Sequence, residues 1–137
     1  MLEALDYFTI QNLYARYNLC SDAGDAEGYA DCFSTDGELR VMPRGMVVKG
    51  RANLVTYKIA DKASRADLYR RHVNGSLHLE PLAAGVVRGR CYLQAFNGTP
   101  GELPYQTVCG VYTDTISKEG GQWRFSVRDL LVDGSRK

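Results

Sequence analysis

From Arg70 onward the chain is patterned as strand in four long runs, 70 to 80, 85 to 96, 105 to 117 and 122 to 133. The turns between them are Pro81-Leu82-Ala83-Ala84-Gly85, the Gly98-to-Pro104 loop and Lys118-Glu119-Gly120-Gly121. A parallel pair needs a crossover of a dozen or more residues, so consecutive strands joined this closely form an antiparallel sheet. In the first run Val73, Leu77 and Leu79 alternate with His72, Asn74, Ser76 and His78. In the last, Trp123, Phe125 and Val127 stand opposite Arg124, Ser126 and Arg128. Each strand is expected to carry one apolar and one polar face, and the apolar face needs a second layer to cover it.

The first half of the chain offers that layer. Tyr7, Ile10, Leu13, Tyr14 and Tyr17 recur at helical spacing over residues 3 to 19. Ser21-Asp22-Ala23-Gly24-Asp25 is expected to break this helix, and Asp25 is a good N-cap for a short second one whose Tyr29, Cys32 and Phe33 share a face. Thr35-Asp36-Gly37 turns the chain, residues 38 to 49 read as a hairpin around Pro43-Arg44-Gly45, and Leu54, Val55 and Ile59 mark a third helix ending near Ala63. Helices before a long antiparallel sheet make an α+β protein, with helices packed on one face of a curved sheet in a cone that can hold a pocket. At 137 residues one domain spanning 1–137 is expected, able to bury roughly two-thirds of its unfolded surface.

Charge narrows the function. With 17 basic against 16 acidic residues the net charge is +1, and the local basic cluster is limited to Arg65, Arg70 and Arg71, so nucleic acid is not the expected partner. Cys20, Cys32, Cys91 and Cys109 show no C-x-x-C spacing and read as reduced core residues. His72 and His78, six apart on one strand, lie roughly 20 Å apart at ~3.3 Å per residue, so no metal is expected. Glu3, Asp6 and Arg16 interrupt the first sixteen residues, and no apolar run approaches the ~18 residues of a membrane span. A cytoplasmic protein without membrane association is the expectation.

Two stretches carry the chemistry: Tyr17-Asn18-Leu19-Cys20-Ser21-Asp22 and Tyr69-Arg70-Arg71-His72-Val73-Asn74. They place a phenol near the end of a helix, a carboxylate just beyond it and an imidazole on a strand. These are the side chains that move protons near neutral pH without a cofactor, once a fold brings them together away from water.

Leu13-Tyr14-Ala15-Arg16-Tyr17, Asp22 and the run from Gly28 to Asp36 together resemble the N-terminal helices of SnoaL-like proteins in the nuclear-transport-factor-2-like superfamily. Gly110-Val111-Tyr112-Thr113-Asp114 and Gly121-Gln122-Trp123-Arg124-Phe125-Ser126-Val127-Arg128 are similar to the final hairpin of that fold, and Arg71-His72 to its central strand. The resemblance spans nearly the whole chain and implies a cone-shaped α+β barrel. Its dehydratase and dehydrochlorinase branch implies catalytic roles for Tyr17, Asp22, His72 and Arg128. Asp22 would orient His72, His72 would act as base, and Tyr17 or Arg128 would bind the oxygen on which charge develops. The implied activity is a cofactor-independent lyase or isomerase acting by elimination or proton shift on a small hydrophobic, cyclic substrate. Tyr14, Tyr29, Tyr57 and Tyr112 would line the pocket. A different class stays open, a non-catalytic ligand-binding protein or the small subunit of a ring-hydroxylating oxygenase.

Each residue also has a plainer reading. Asp22 suits a turn, Tyr17 the core, and the His72 face could be solvated, while Arg128 could pair with Asp114 or Asp129. A homodimer or higher homo-oligomer is expected, on the view that the outer sheet face carries Trp123, Phe125 and Leu77.

Overall fold

The computed structural model describes residues 2–136. Helix α1 (Ala4–Ala23) and helix α2 (Ala26–Asp31) lead into the hairpin β1 (Phe33–Met42) and β2 (Met46–Lys49), followed by α3 (Arg51–Ser64). Four long strands complete the chain: β3 (Tyr69–Ala83), β4 (Val86–Gly98), β5 (Tyr105–Glu119) and β6 (Gln122–Ser135). They form one six-stranded sheet in the order β2-β1-β6-β5-β4-β3. All neighbours are antiparallel except β1 and β6, which run parallel and are linked through the whole α3-to-β5 segment. The sheet curls without closing, with β2 and β3 as its edges, and the three helices pack on its inner face. This is the α+β cone that the resemblance implied.

Helix α1 begins with a capping box, in which Glu3 and Asp6 exchange backbone and side-chain hydrogen bonds. Asp6 also accepts from Trp123 Nε1 at 2.9 Å, tying the helix start to β6. The helix runs a turn further than expected, through Ser21 and Asp22. It stops at Gly24, whose left-handed φ of 73° suits a residue without Cβ. Asp25 caps α2 as expected, accepting the Gly28 N–H at 2.9 Å. Thr35-Asp36-Gly37 does not separate two elements; it bulges out within β1, where the register on β6 shifts between Phe33 and Glu38.

Two further bulges decide what faces inward. On β3, Gly75 pairs with Tyr92 but His78 with Arg90, so one extra residue sits between them, with Ser76 at φ 56°. A bulge reverses the side-chain phase of everything beyond it. His72 and Asn74 before it therefore share the inner face with Leu77 and Leu79 after it, whereas His78 points outward and is exposed. On β6, Val127 pairs with Thr115 and Phe125 with Ile116, leaving Ser126 as the extra residue. Trp123 and Phe125 are consequently buried on the same face as Arg128 and Leu130.

This corrects three expectations. His72 and His78 do not share a face. Trp123 and Phe125 belong to the core and cannot supply an outer apolar surface. Arg128 is not on a polar face. Of the cysteines, Cys32 and Cys91 are buried core residues, but Cys109 is exposed. Ile59, expected on the packed face of α3, is exposed, and Lys58 is buried in its place.

A β-branched side chain tolerates the left-handed region poorly, at a cost of ~1–2 kcal/mol, whereas glycine enters it freely. Ser76→Val is expected to lower stability by about that amount and Ser76→Gly to leave it unchanged or raised, as read from urea midpoints.

Candidate active site

Asp22 lies in the last turn of α1 and reaches across to β3. One of its oxygens accepts the His72 backbone N–H at 3.1 Å and the other faces His72 Nδ1 at 2.5 Å. A carboxylate can only accept, so Nδ1 carries the proton and Nε2 is left as the basic nitrogen. The two side chains are only 13% and 11% exposed. Arg65 holds the helix end in place: its guanidinium donates to the carbonyls of Ser21 at 3.1 Å and Asp22 at 3.4 Å, groups that a helix C-terminus leaves without intrahelical partners.

His72 forms part of the wall of a cavity of about 370 Å³ between the helices and the inner face of the sheet. Tyr17, Tyr29, Tyr57 and Tyr112 line the same cavity. The Tyr17 and Tyr29 hydroxyls lie 3.0 Å apart, and burial pushes both phenols well above their ordinary pKa, so both remain protonated donors. Tyr14 is not on this wall. Its hydroxyl points the other way and donates to Asp114 at 2.6 Å.

Asp114 and Arg128 pair across β5 and β6, at 3.1 Å and 3.0 Å through Nε and Nη2, with both side chains sealed from solvent. Four rings surround the guanidinium, with centroids 3.6 Å away for Tyr112, 4.3 Å for Tyr17 and Phe125, and 4.9 Å for Tyr14. Burial works most strongly against the charge on Arg128, but Asp114 and the surrounding Tyr112, Tyr17 and Tyr14 together outweigh it and hold the group protonated. Arg128 thus sits behind the tyrosine wall and does not line the cavity. Of the two acids expected as its structural partner, Asp114 or Asp129, Arg128 takes Asp114.

Sequence reasoning missed the other side of the cavity. Lys58 is 4% exposed, and its ammonium donates to Ser21 Oγ at 2.7 Å and Asp61 Oδ2 at 3.0 Å, 4.5 Å above the Tyr29 ring. Burial lowers its pKa, with Asp61 opposing. Arg70 donates to the other Asp61 oxygen at 3.2 Å. Burial would raise the Asp61 pKa, yet Lys58, Arg70 and Arg65 together hold it below the ordinary carboxylate value. The signal was present as helical spacing: Leu54, Lys58, Asp61 and Arg65 continue one stripe at intervals of four, three and four. Among the described residues no three His, Cys, Asp or Glu side chains converge as a metal site would require, and no helix is long and apolar enough to cross a membrane.

Residues 2–129 match the model of the SnoaL-like domain. The chain belongs to the SnoaL-like family. This SnoaL-like chain is also similar to a protein of unknown function from Mycobacterium tuberculosis, 32% identical over 94% of this chain and 72% of that one, with a TM-score of 0.83. An NTF2-like protein with a cystatin-like fold from Novosphingobium aromaticivorans is 26% identical over 95% and 84% of the two chains, at a TM-score of 0.82. A scytalone-dehydratase-like protein from the same organism shares the fold at 21% identity, covering 96% and 87%, with a TM-score of 0.81. No curated protein matches the chain.

Breaking a buried ion pair leaves one charge uncompensated and typically costs ~3–5 kcal/mol. Asp114→Ala is expected to lose that much in denaturant unfolding, and Tyr14→Phe about 1.5–3 kcal/mol for one hydrogen bond to a charged group. Asp61 gives a pH signature. Because its folded pKa is depressed, the stability it contributes is complete above the ordinary value of 3.8 and is lost as pH falls through the lower folded value. Asp61→Asn should therefore flatten the fall in stability below about pH 4 relative to the native chain.

Proposed function

We propose that the chain is a cofactor-independent lyase or isomerase in which His72 removes a proton from a carbon next to a carbonyl or similar group. The observation that carries this reading is the double engagement of His72 by Asp22, through ring and backbone, on the wall of the cavity. Asp22 fixes the tautomer and steadies the imidazolium that forms on proton uptake. Nε2 is then directed at the substrate. The Tyr17 hydroxyl, kept protonated by burial and linked to that of Tyr29, donates to the oxygen on which negative charge develops, or to a departing hydroxyl. Arg128 contributes its positive field through the rings of Tyr17 and Tyr112 rather than by contact. Loss of a β-hydroxyl after proton removal gives dehydration, and return of the proton at another carbon gives isomerisation. Family membership and the fold shared with a scytalone-dehydratase-like protein support this class of reaction.

A general base is worth ~10²–10⁴-fold. In a screen of cyclic β-hydroxy-carbonyl compounds, His72→Gln is expected to lose turnover by that factor, and Asp22→Asn by a large part of it. In nitrogen-15 NMR spectra the Asp22→Asn variant should show the His72 ring divided between its two tautomers. Turnover or tautomer unaffected by Asp22→Asn would replace this reading with that of a non-catalytic binding protein or oxygenase small subunit, which needs no such dyad.

We also propose that the protein is a homodimer through the outer face of the sheet. Tyr92, Val111 and Leu131 lie directly opposite one another on β4, β5 and β6 and so share a face. Tyr92 is 59% and Leu131 50% exposed. Sedimentation should give twice the chain mass at micromolar concentration, and Tyr92→Asp with Leu131→Asp should return a monomer.

A further inference from the structure

The cavity wall is far more basic than the chain that builds it. Overall the sequence is nearly balanced at +1. Inside the cavity, however, Lys58, Arg70, Arg44 and Arg136 face a single carboxylate, that of Asp61. These four cations come from α3, the start of β3, the β1–β2 turn and the residue after β6, so the fold alone assembles them.

Several are held where they are. Lys58 is nearly sealed from solvent and anchored by Ser21 and Asp61. The Arg70 Nε donates to Asn97 Oδ1 at 2.9 Å while Nη1 takes Asp61, and the Arg136 Nε donates to the Gln106 carbonyl at 3.1 Å. Asp61 is thus divided between Lys58 and Arg70, with Arg65 Nε also 3.9 Å away, and its one charge cannot offset them all. Arg44 stands exposed on its turn at the rim. Like charges gathered in a partly desolvated enclosure repel one another, and an anion placed among them relieves that repulsion more strongly than it would in water. Beyond these charges and the polar Ser21, His72, Asn97 and Thr107, the wall is apolar or aromatic, with Leu39, Leu93, Tyr57 and Tyr112 suited to the faces of a ring.

We propose that the cavity takes a cyclic substrate bearing a carboxylate, which pairs with the Lys58 and Arg70 side of the wall while its ring lies against the tyrosines. This assignment of substrate class rests on the reading of the cavity as the active site, but it makes a separate claim about binding. A neutral hydrophobic molecule would leave the cationic wall unanswered.

Binding to the His72→Gln variant tests the claim without turnover. The probes are 2-naphthoate and its neutral isostere 2-naphthamide, titrated calorimetrically and by amide chemical shifts. The expected result is at least tenfold tighter binding of naphthoate at low ionic strength, an advantage that shrinks as salt is added, and shift changes confined to cavity residues. Lys58→Met should abolish most of the preference; Asp61 keeps Arg70 as a partner in that variant. Arg44 is exposed on the β1–β2 turn, and Arg44→Gln should weaken naphthoate severalfold while leaving naphthamide unchanged. The proposal is overturned if naphthoate binds no better than naphthamide, if its shifts map outside the cavity, or if both substitutions leave the preference intact. A dyad that proves irrelevant to turnover would sink the catalytic reading and leave this binding result standing.

Discussion

A guanidinium with no route to water organises the interior. Arg128 is bonded twice to Asp114, Asp114 takes the hydroxyl of Tyr14, and the rings of Tyr14, Tyr17, Tyr112 and Phe125 enclose the pair. Replacing such a pair with apolar groups is often neutral for stability, so its importance lies in placement. One position of α1 satisfies the second Asp114 oxygen. With Tyr14 pinned there, Tyr17 falls a turn later beside Tyr29, and Ser21 and Asp22 fall two turns later beside Lys58 and His72. The reach of the carboxylate to β3 is thus set about two helical turns away, inside the core.

Much of this was legible in the residues. Apart from Tyr7, which is exposed, the stripe continuing from Ile10 to Tyr17, the Asp25 cap, the hairpin at Pro43-Arg44-Gly45 and the four strand runs emerge where periodicity and turn chemistry place them. The inward faces were not legible, because a bulge is one extra residue with no period of its own. Strict alternation puts His72 and Leu77 on opposite sides of β3, and Phe125 and Arg128 on opposite sides of β6; the bulges at Ser76 and Ser126 put each pair on the same side. Lys58 escaped for a different reason. A charge on an amphipathic helix is ordinarily taken as solvent-facing, and here the apolar stripe is continued by Lys58, Asp61 and Arg65 toward partners on α1 and β3.

Two charged systems lie close together and behave differently. The Arg128–Asp114 pair is closed, with both of its charges answered inside the protein. The Lys58–Asp61–Arg70 group is open to the cavity and carries an excess of one sign. Between them stand Tyr17 and Tyr112, which touch the first and line the second. The tyrosines therefore act as a polarisable partition, passing the field of a fixed cation into the cavity while keeping water from it.

The bulge on β3 also divides that strand's duties along its length. Before Ser76 the inward residues Arg70 and His72 form cavity wall, after it Leu77 and Leu79 pack on the core, and each half keeps its own phase. A substitution at Arg70 or His72 alters what the cavity presents without disturbing Leu79, and a repacked Leu79 need not move the imidazole. A strand interrupted in this way works as two short modules in series, and a scaffold built so can exchange its chemistry at one end while inheriting its foundations at the other.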